Sequence, residues 1–393
     1  MEPALNPYSP GSGRRPPELV GRTVELEAFD TLVARTRNRL SDRGIVLTGL
    51  RGVGKTVLLN ELAAHAERHS WMTVRLEARR DEAGALAVRH ALARDLVAAA
   101  RKHARRTASA RMRAALETIT SFNAQVGATG VSLGVERAVG RADSGDAELD
   151  LLELVEDVTA AVKEDGRGFA IFIDEMQDLD PDTMSALVAA QHVAGQRDWP
   201  FYVIGAGLPN LPRVLTEARS YAERLFNYRS IGRLEPAEAA RALEEPAERL
   251  GASYSPEGLQ IVLAAASGYP YFLQEYGQAV WNLSPGKVFS AADARAAVQY
   301  GLEHLDAGFF QTRWERATPA ERRFLLSMAI DADAPSLSAE VARRMNLRAS
   351  SLGPYRANLM AKGLIFAPEH GKVAYTVPGM ADFVHRHREE LEG

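Results

Sequence analysis

At 393 residues, 46% of them hydrophobic and 25% charged, the chain is long enough to fill the cores of two or three domains. Zero cysteines exclude disulfides and thiolate catalysis, and the nine scattered histidines form no H-E-x-x-H or comparable metal pattern. A formal net charge of -4 gives no global attraction to nucleic acid, so any DNA contact has to come from a local patch. The basic residues are mostly arginine, 41 against 6 lysines, so a single arginine carries little weight. Apolar runs stop at five or six residues, too short for a bilayer span, and the Pro/Gly/Arg-rich start has no apolar signal core. A cytoplasmic location without membrane contact is expected.

Residues 1–20 read as an extended arm, because Asn6-Pro7-Tyr8, Pro10-Gly11 and Pro16-Pro17 each interrupt a helix. A helical pattern runs from Val24 to Leu40. Gly44 to Thr48 is short, β-branched and bounded by glycine, as a buried parallel strand should be. It leads into Gly49-Leu50-Arg51-Gly52-Val53-Gly54-Lys55-Thr56, a complete G-x-x-x-x-G-K-[ST] phosphate loop, or Walker A motif. Apolar residues at Val57, Leu58, Leu59, Leu62 and Ala63 then predict a helix from Val57 to His69. Amides of the loop and of the helix start would bind the anion, Lys55 would reach the β- and γ-phosphates, and the Thr56 hydroxyl would hold Mg2+. The pattern arises by chance in roughly one such sequence in a few hundred, which weighs against a Gly-rich surface turn.

Trp71 to Ala78 alternates like a second strand, and Glu82 to about Leu116 is helical. Within that helix lies the basic run Arg101-Lys102-His103-Ala104-Arg105-Arg106, continued by Arg111 and Arg113. Such a run is more often a solvated face than a nucleic-acid site. Phe122 to Val135 alternates Val126, Val131, Leu133 and Val135 among glycines and predicts a hairpin; Arg141 to Asp150 predicts a loop, and Leu151 to Lys163 a helix. Phe169 to Ile173 is an apolar strand closing on Asp174-Glu175. Two carboxylates at a buried strand end need a reason, because unpaired buried charge is costly. In a phosphate-loop protein (Walker B) the first acid orders the Mg2+ water shell and the second polarises the attacking water. We assign Asp174 to the metal and Glu175 to the role of general base or water positioner; as a mere helix start the pair is outdone by Asp180-Pro181, an N-cap with first-turn proline. Helix Pro181 to Gln196, strand Phe201 to Ile204 closing on Gly205-Ala206-Gly207-Leu208-Pro209, and a short strand at Tyr228 to Leu234 complete an α/β pattern with a parallel sheet covered on both faces.

After Pro236 the strands disappear. Ala237 to Leu250, Glu257 to Ala266, Tyr271 to Trp281 and Ala291 to His304 read as a separate helical domain. From Thr318 onward, helices Ala320 to Ala329, Ala339 to Met345 and Ser351 to Lys362 precede Gly363 to Phe366 and Val373 to Val377, which flank Glu369-His370-Gly371-Lys372. Three helices and a two-stranded ribbon with a Gly turn are the plan of a winged helix. The expected domains are an arm over 1–20, a P-loop core over 21–234, a helical lid over 235–312 and a winged helix over 313–393.

With both phosphate-site motifs placed, the chain resembles the AAA+/STAND P-loop ATPases, in particular bacterial and archaeal ATPases with an origin-recognition-complex-like AAA domain. Supporting marks are Glu18-Leu19-Val20-Gly21-Arg22, Asp174-Glu175-Met176-Gln177, Gly205-Ala206-Gly207-Leu208-Pro209, Tyr221-Ala222-Glu223-Arg224-Leu225-Phe226 and Gly268-Tyr269-Pro270-Tyr271-Phe272. The resemblance implies that Val20, Gly21 and Arg22 pack near the adenine and that Pro270 belongs to a G-x-P lid motif at the nucleotide. Gly205 and Gly207 stand where many relatives have a polar sensor, with Asn210 the nearest substitute, and the lid lacks the usual arginine. Both departures favour a slow ATP switch that yields ADP and phosphate. Arg224 is the candidate arginine finger, against an ion pair with Glu223, and Arg229 is the second choice. DNA would be read by the third winged-domain helix, with Arg343, Arg344, Arg348, Arg356 and Lys372 nearby; residues 311–393 hold 12 basic and 10 acidic residues, +2 net, a thin phosphate footprint. Two outputs stay open: a switch associated with double-stranded DNA, or a signalling or defence switch acting through self-association or a protein partner.

Overall fold

The computed structural model describes residues 1–11, 13–79, 82–104, 110–127 and 141–388, with side chains left out at 82–88, 102–104, 110 and 123–127. Helix α1 (Thr23–Arg37) leads to β1 (Gly44–Thr48), the phosphate loop and α2 (Lys55–Arg68), then β2 (Met72–Glu77), α3 (Glu82–Ala104), α4 (Ala110–Gly127), α5 (Ala147–Val162) and β3 (Phe169–Asp174). Helix α6 (Pro181–Gln196), β4 (Phe201–Gly207), α7 (Leu211–Ala218) and β5 (Phe226–Ser230) follow. The five strands are all parallel, in the order β2-β3-β4-β1-β5. Strands β1 and β4 are buried along their whole length and β3 up to Asp174, as unbroken apolar runs in a doubly covered sheet must be. Edge strand β2 instead alternates buried and open positions. Strand β1 sits between β4 and β5, so the loop that follows it opens at the carboxyl end of the sheet, where the chain reverses its direction of winding.

Beyond the sheet come α8 (Pro236–Glu248), β6 (Ser253–Tyr254), α9 (Pro256–Ala266), α10 (Pro270–Leu283), β7 (Val288–Phe289) and α11 (Ala291–His304). Their starts are written in the sequence. Glu235 with Glu238 and Ser290 with Asp293 form reciprocal capping boxes, Ser255 caps α9, and proline opens α8, α9 and α10. A π-helical turn (Leu305–Phe310) continues into α12 (Gln311–Glu315). The chain ends in α13 (Pro319–Ala329), β8 (Ser336–Leu337), α14 (Ser338–Arg344), α15 (Gly353–Ala361), β9 (Ile365–Phe366), β10 (Lys372–Tyr375) and α16 (Met380–Arg386), with antiparallel sheet order β8-β10-β9.

Several expectations are corrected. Residues 122–127 belong to α4 rather than to a hairpin; the rest of that segment, 128–135, lies outside the described residues. Helix α5 starts inside the expected loop, because Asp146 caps the amides of Glu148 and Leu149 while Asp150 turns back to accept from Ser144 and Gly145. Strands do not end at Pro236: β6 and β7 pair in parallel between the helices. Strand β5 lies two to four residues earlier than expected, since Ile231 makes the last bond to Thr48 and the chain then leaves for α8. Strand β8 and helix α16 carried no periodic signal, being two and seven residues long.

The N-terminal arm is docked rather than free. Met1 donates to Ser284 O (2.6 Å), Trp281 Nε1 to Glu2 O (2.9 Å) and Asn6 Nδ2 to Asn282 Oδ1 (2.8 Å), and a 3-10 turn (Pro3–Leu5) lies between them. Tyr8 is the anchor: it is 1% exposed, its hydroxyl donates to Leu243 O and meets the Tyr254 hydroxyl at 3.1 Å, and burial pushes its pKa well up. Tyr8→Ala removes a large buried ring, which costs about 3–5 kcal/mol where it packs. We expect a lower melting temperature and fast tryptic cutting after Arg14; an arm that stays resistant in the variant would show that Tyr8 does not hold it.

Candidate functional site

The phosphate loop turns on two glycines in the left-handed region, Gly52 (φ 84°) and Gly54 (φ 92°), after which Lys55 opens α2. Gly54, Lys55, Thr56 and Val57 therefore present amides that have no partner within the helix. The loop is fixed from several sides. Gly49 N donates to Gly207 O of β4 (3.1 Å), Arg51 N to Thr376 O just past β10 (2.9 Å), and Tyr271 N of α10 to Gly52 O (3.2 Å). The buried Arg22 guanidinium bonds Gly21 O, Val53 O (3.0 Å) and Gly232 O (2.8 Å), so it staples the start of α1 to the loop. Lys55 is 7% exposed, donates to Leu50 O (2.8 Å), and has its pKa pulled down to about 8 by burial, against the pull of Glu175 and Asp174.

The two acids lie directly across from the loop. Thr56 Oγ1 donates to Asp174 Oδ2 (2.6 Å), and desolvation raises the Asp174 carboxyl pKa despite this bond. Glu175 is itself in the left-handed region (φ 48°), a conformation that costs a non-glycine residue of order 1–2 kcal/mol. Its carboxylate is held on both sides, Oε1 by Arg51 (3.1 Å) and Oε2 by Gln177 Nε2 (2.7 Å). Gln177 stands among the sequence marks but is given no role there. Its Oε1 accepts from Leu208 N (3.0 Å), and a Cβ at Gly207 would collide with that oxygen, as one at Gly205 would with Met176. The glycines at the end of β4 make room for Met176 and Gln177, so the spacing of Gln177 from Gly207 was the available signal.

A cavity of about 320 Å³ opens between the loop, α8, α10, the arm and α12. Of the expected nucleotide-site residues, Val20, Arg22, Arg51, Gly52, Val53, Gly54, Lys55, Thr56, Val57, Glu175 and Pro270 border it, whereas Gly21, Gly49 and Leu50 stand behind that wall. Leu19, Val20, Leu234, Ala242 and Leu273 supply an apolar side; Arg14, Arg22, Arg51, Lys55 and Arg313 outnumber Glu18 and Glu175 and make it attractive to an anion. Thr56 and Asp174 are hard oxygen donors of the kind Mg2+ takes, and the described residues hold no cluster of three His, Asp or Glu side chains that would cage a metal without phosphates. The donor set thus fits Mg2+ bound together with a nucleotide.

Arg224 does not reach this cavity. It precedes Phe226, which pairs with Gly44 at the opposite end of β1, and it is exposed with no ion pair among the described residues, to Glu223 or otherwise. A role for it in its own chain's site is therefore excluded by position. Arg229 lies on β5 with a buried Nε that has no partner, and Asn210, whose Oδ1 is likewise buried and unpaired, does not border the cavity.

A parallel sheet with a phosphate loop between β1 and α2 and acids at the end of β3 defines a P-loop NTPase core. Residues 18–204 match the AAA ATPase domain family, and this segment is an AAA ATPase domain. Residues 307–384 match a domain of unknown function (DUF8462). A Walker-type ATPase of Pyrococcus abyssi is similar over 97% of this chain and 99% of its own, at 14% identity and a TM-score of 0.58, which shows a common fold. The Orc1 protein of Aeropyrum pernix in complex with DNA (15% identity, 96% and 94% covered, TM-score 0.45) and the RuvB Holliday junction branch migration motor of Thermotoga maritima (13%, 95% and 98%, 0.46) are similar more loosely. No curated protein sequence matches the chain. Among the described residues no helix is long and apolar enough to cross a membrane.

The bond from Gln177 to Glu175 predicts a positioning effect. Gln177→Ala should lower ATP turnover about tenfold, the cost of about 1.4 kcal/mol in misplacement, with KM changed less than about threefold. Unchanged kcat in steady-state assays would show that Glu175 is held well enough by Arg51 alone.

Proposed function

We propose that the protein is an AAA+ switch that binds ATP with Mg2+ and hydrolyses it slowly to ADP and phosphate. The observation that carries this reading is the 2.6 Å bond from Thr56 to Asp174 beneath a phosphate loop whose helix-start amides are open. Gly52 to Val57 would wrap the phosphates, Lys55 would exchange its bond to Leu50 O for phosphate oxygens, and Thr56 and Asp174 would hold the metal, whose charge offsets that developing on the transferred phosphoryl. Val20 with the neighbouring apolar wall would take the base, with Gly21 and Arg22 shaping that wall, and Pro270 would set the lid helix against the loop. Glu175 would align the attacking water and accept its proton. Both of its oxygens are already engaged by Arg51 and Gln177, which supports slow turnover that waits on a rearrangement. Arg224, remote from its own cavity, would act only on the site of a second copy.

The parts of the switch would be the arm (1–20), the core (21–234), the lid (235–312) and a winged helix (313–393) with its wing between β9 and β10. Packing supports an output through protein contacts over one through DNA. The C-terminal unit rests on the loop through Arg51 N to Thr376 O, while Phe366 and Ala374 cluster with Leu50 and Leu208. Of the five basic residues near the presumed reading helix, Arg343 is tied to Glu340 (2.6 Å), Arg344 to both oxygens of Asp331 (2.6 and 2.7 Å) and Lys372 to Glu369 (2.9 Å), leaving Arg348 and Arg356 for phosphates.

Lys55→Ala should abolish binding of ATP and ADP, and Glu175→Gln should keep ATP binding while cutting hydrolysis by at least about a hundredfold. Steady-state turnover of the full chain should not respond to duplex DNA. Turnover that persists in Glu175→Gln would sink the assignment of the base, and stimulation by DNA that weakens with salt would restore the DNA-coupled reading.

A further inference from the structure

Arg313 enters the cavity from α12, at the start of the region that ends in the C-terminal sheet, and no role has yet been given to it. Its Nη1 donates to Phe309 O (2.6 Å), and its guanidinium lies over the Phe309 ring at 4.0 Å. That ring stacks on Tyr271 (4.9 Å, 22°), the residue whose amide bonds the phosphate loop. The guanidinium is thus held on a built shelf. No described carboxylate pairs with it; the charges it feels are Arg51 and Arg316, and burial together with these like charges draws its pKa down to about 10. Arg51 in turn is 3.1 Å from Glu175, and all three residues line the same cavity. Of the other cations there, Arg22 bonds three carbonyls, Lys55 bonds Leu50 O and Arg51 pairs with Glu175, while Arg14 of the arm is exposed. A half-buried guanidinium without a carboxylate partner is costly until an anion joins it.

We infer that Arg313 binds the terminal phosphate of a nucleoside triphosphate, and so supplies from the C-terminal region the cation that the lid and β4 lack. This rests on the nucleotide reading above. The planar fork suits a phosphate oxygen pair, and the shelf aims it without fixing it by a counter-ion. A phosphate-bound Arg313 is also mechanically connected: its neighbour Trp314 is 1% exposed, and Phe310 of the same turn stacks on Phe383 of α16 (5.5 Å, 17°). Loss of the terminal phosphate would free the one cavity arginine borne by that region, which makes Arg313 the residue that tells triphosphate from diphosphate.

The test is equilibrium binding of Mg-ATP and Mg-ADP, by competition against a fluorescent ADP analogue, to full-length chains that all carry Glu175→Gln to stop turnover. Arg313→Ala should weaken ATP about tenfold and ADP less than about threefold, so the ATP/ADP preference falls; Arg313→Lys should recover part of the ATP affinity through charge without the fork. Melting without nucleotide should be unchanged or raised in both variants, because a like-charge contact is removed or softened. Equal losses for ATP and ADP, or no loss for either, would overturn the inference and leave Arg313 as a packing residue. If Arg313→Ala melts early, Arg313→Lys decides: an ATP/ADP preference identical to the parent's in that variant overturns the bidentate contact. Failure of the Glu175→Gln parent to bind either nucleotide would instead sink the nucleotide reading itself.

Discussion

A backbone amide or carbonyl cannot be buried without a partner at small cost, and the phosphate loop has to satisfy that constraint while leaving its last amides open for a ligand. The chain meets it by bringing a different segment to each closed group. Strand β4 accepts from Gly49, the start of α1 bonds Val53, the N-terminus of α10 bonds Gly52, and the turn after β10 accepts from Arg51. Residues more than three hundred positions apart thereby meet at eight residues of loop. The sheet, helix α10 and the C-terminal unit thus share a hub.

The acids obey the same economy. Asp174 and Glu175 close a strand that is otherwise fully buried, and each finds partners that only this topology supplies: Thr56 from α2, Arg51 from the loop, Gln177 from the turn after β3. The left-handed backbone at Glu175 turns its side chain out of the strand's alternation and toward the loop, at a cost the surrounding bonds offset. Room for Gln177 comes from Gly205 and Gly207, so residues that read in sequence as missing sensors are instead the space in which a positioning amide sits.

That contrast shows what the chain discloses in one dimension. The phosphate loop, the strand-acid junction and most helix starts are local: spacing, apolar runs and caps such as Asp180, Ser255 and Thr318 specify them within a few residues. The sheet was legible because three of its strands are buried on both faces and carry unbroken apolar runs. Strands β6, β7 and β8 are two residues long, too short for any period to register, and form because neighbouring helices hold their backbones side by side. The hairpin reading fails at its start, because Phe122 to Gly127, Val126 included, lies on helix α4. Arg313 and Gln177 have no local pattern of their own: Arg313 meets the cavity, and Gln177 meets Leu208, only once the chain is folded.

Arg224 is the complementary case, a residue of a local mark that the fold carries away from its own loop. Its position at the foot of edge strand β5, away from the carboxyl end of the sheet, separates it from its own loop by the length of the strand. The cavity instead gathers its cations from inside the chain, and Leu50 shows how they communicate. Its carbonyl is the partner of Lys55, and its side chain packs with Phe366 and Ala374 of the C-terminal sheet. Leu50 therefore touches the buried lysine of the loop through its carbonyl and the C-terminal sheet through its side chain, so the cavity and the seat of the C-terminal unit share one residue.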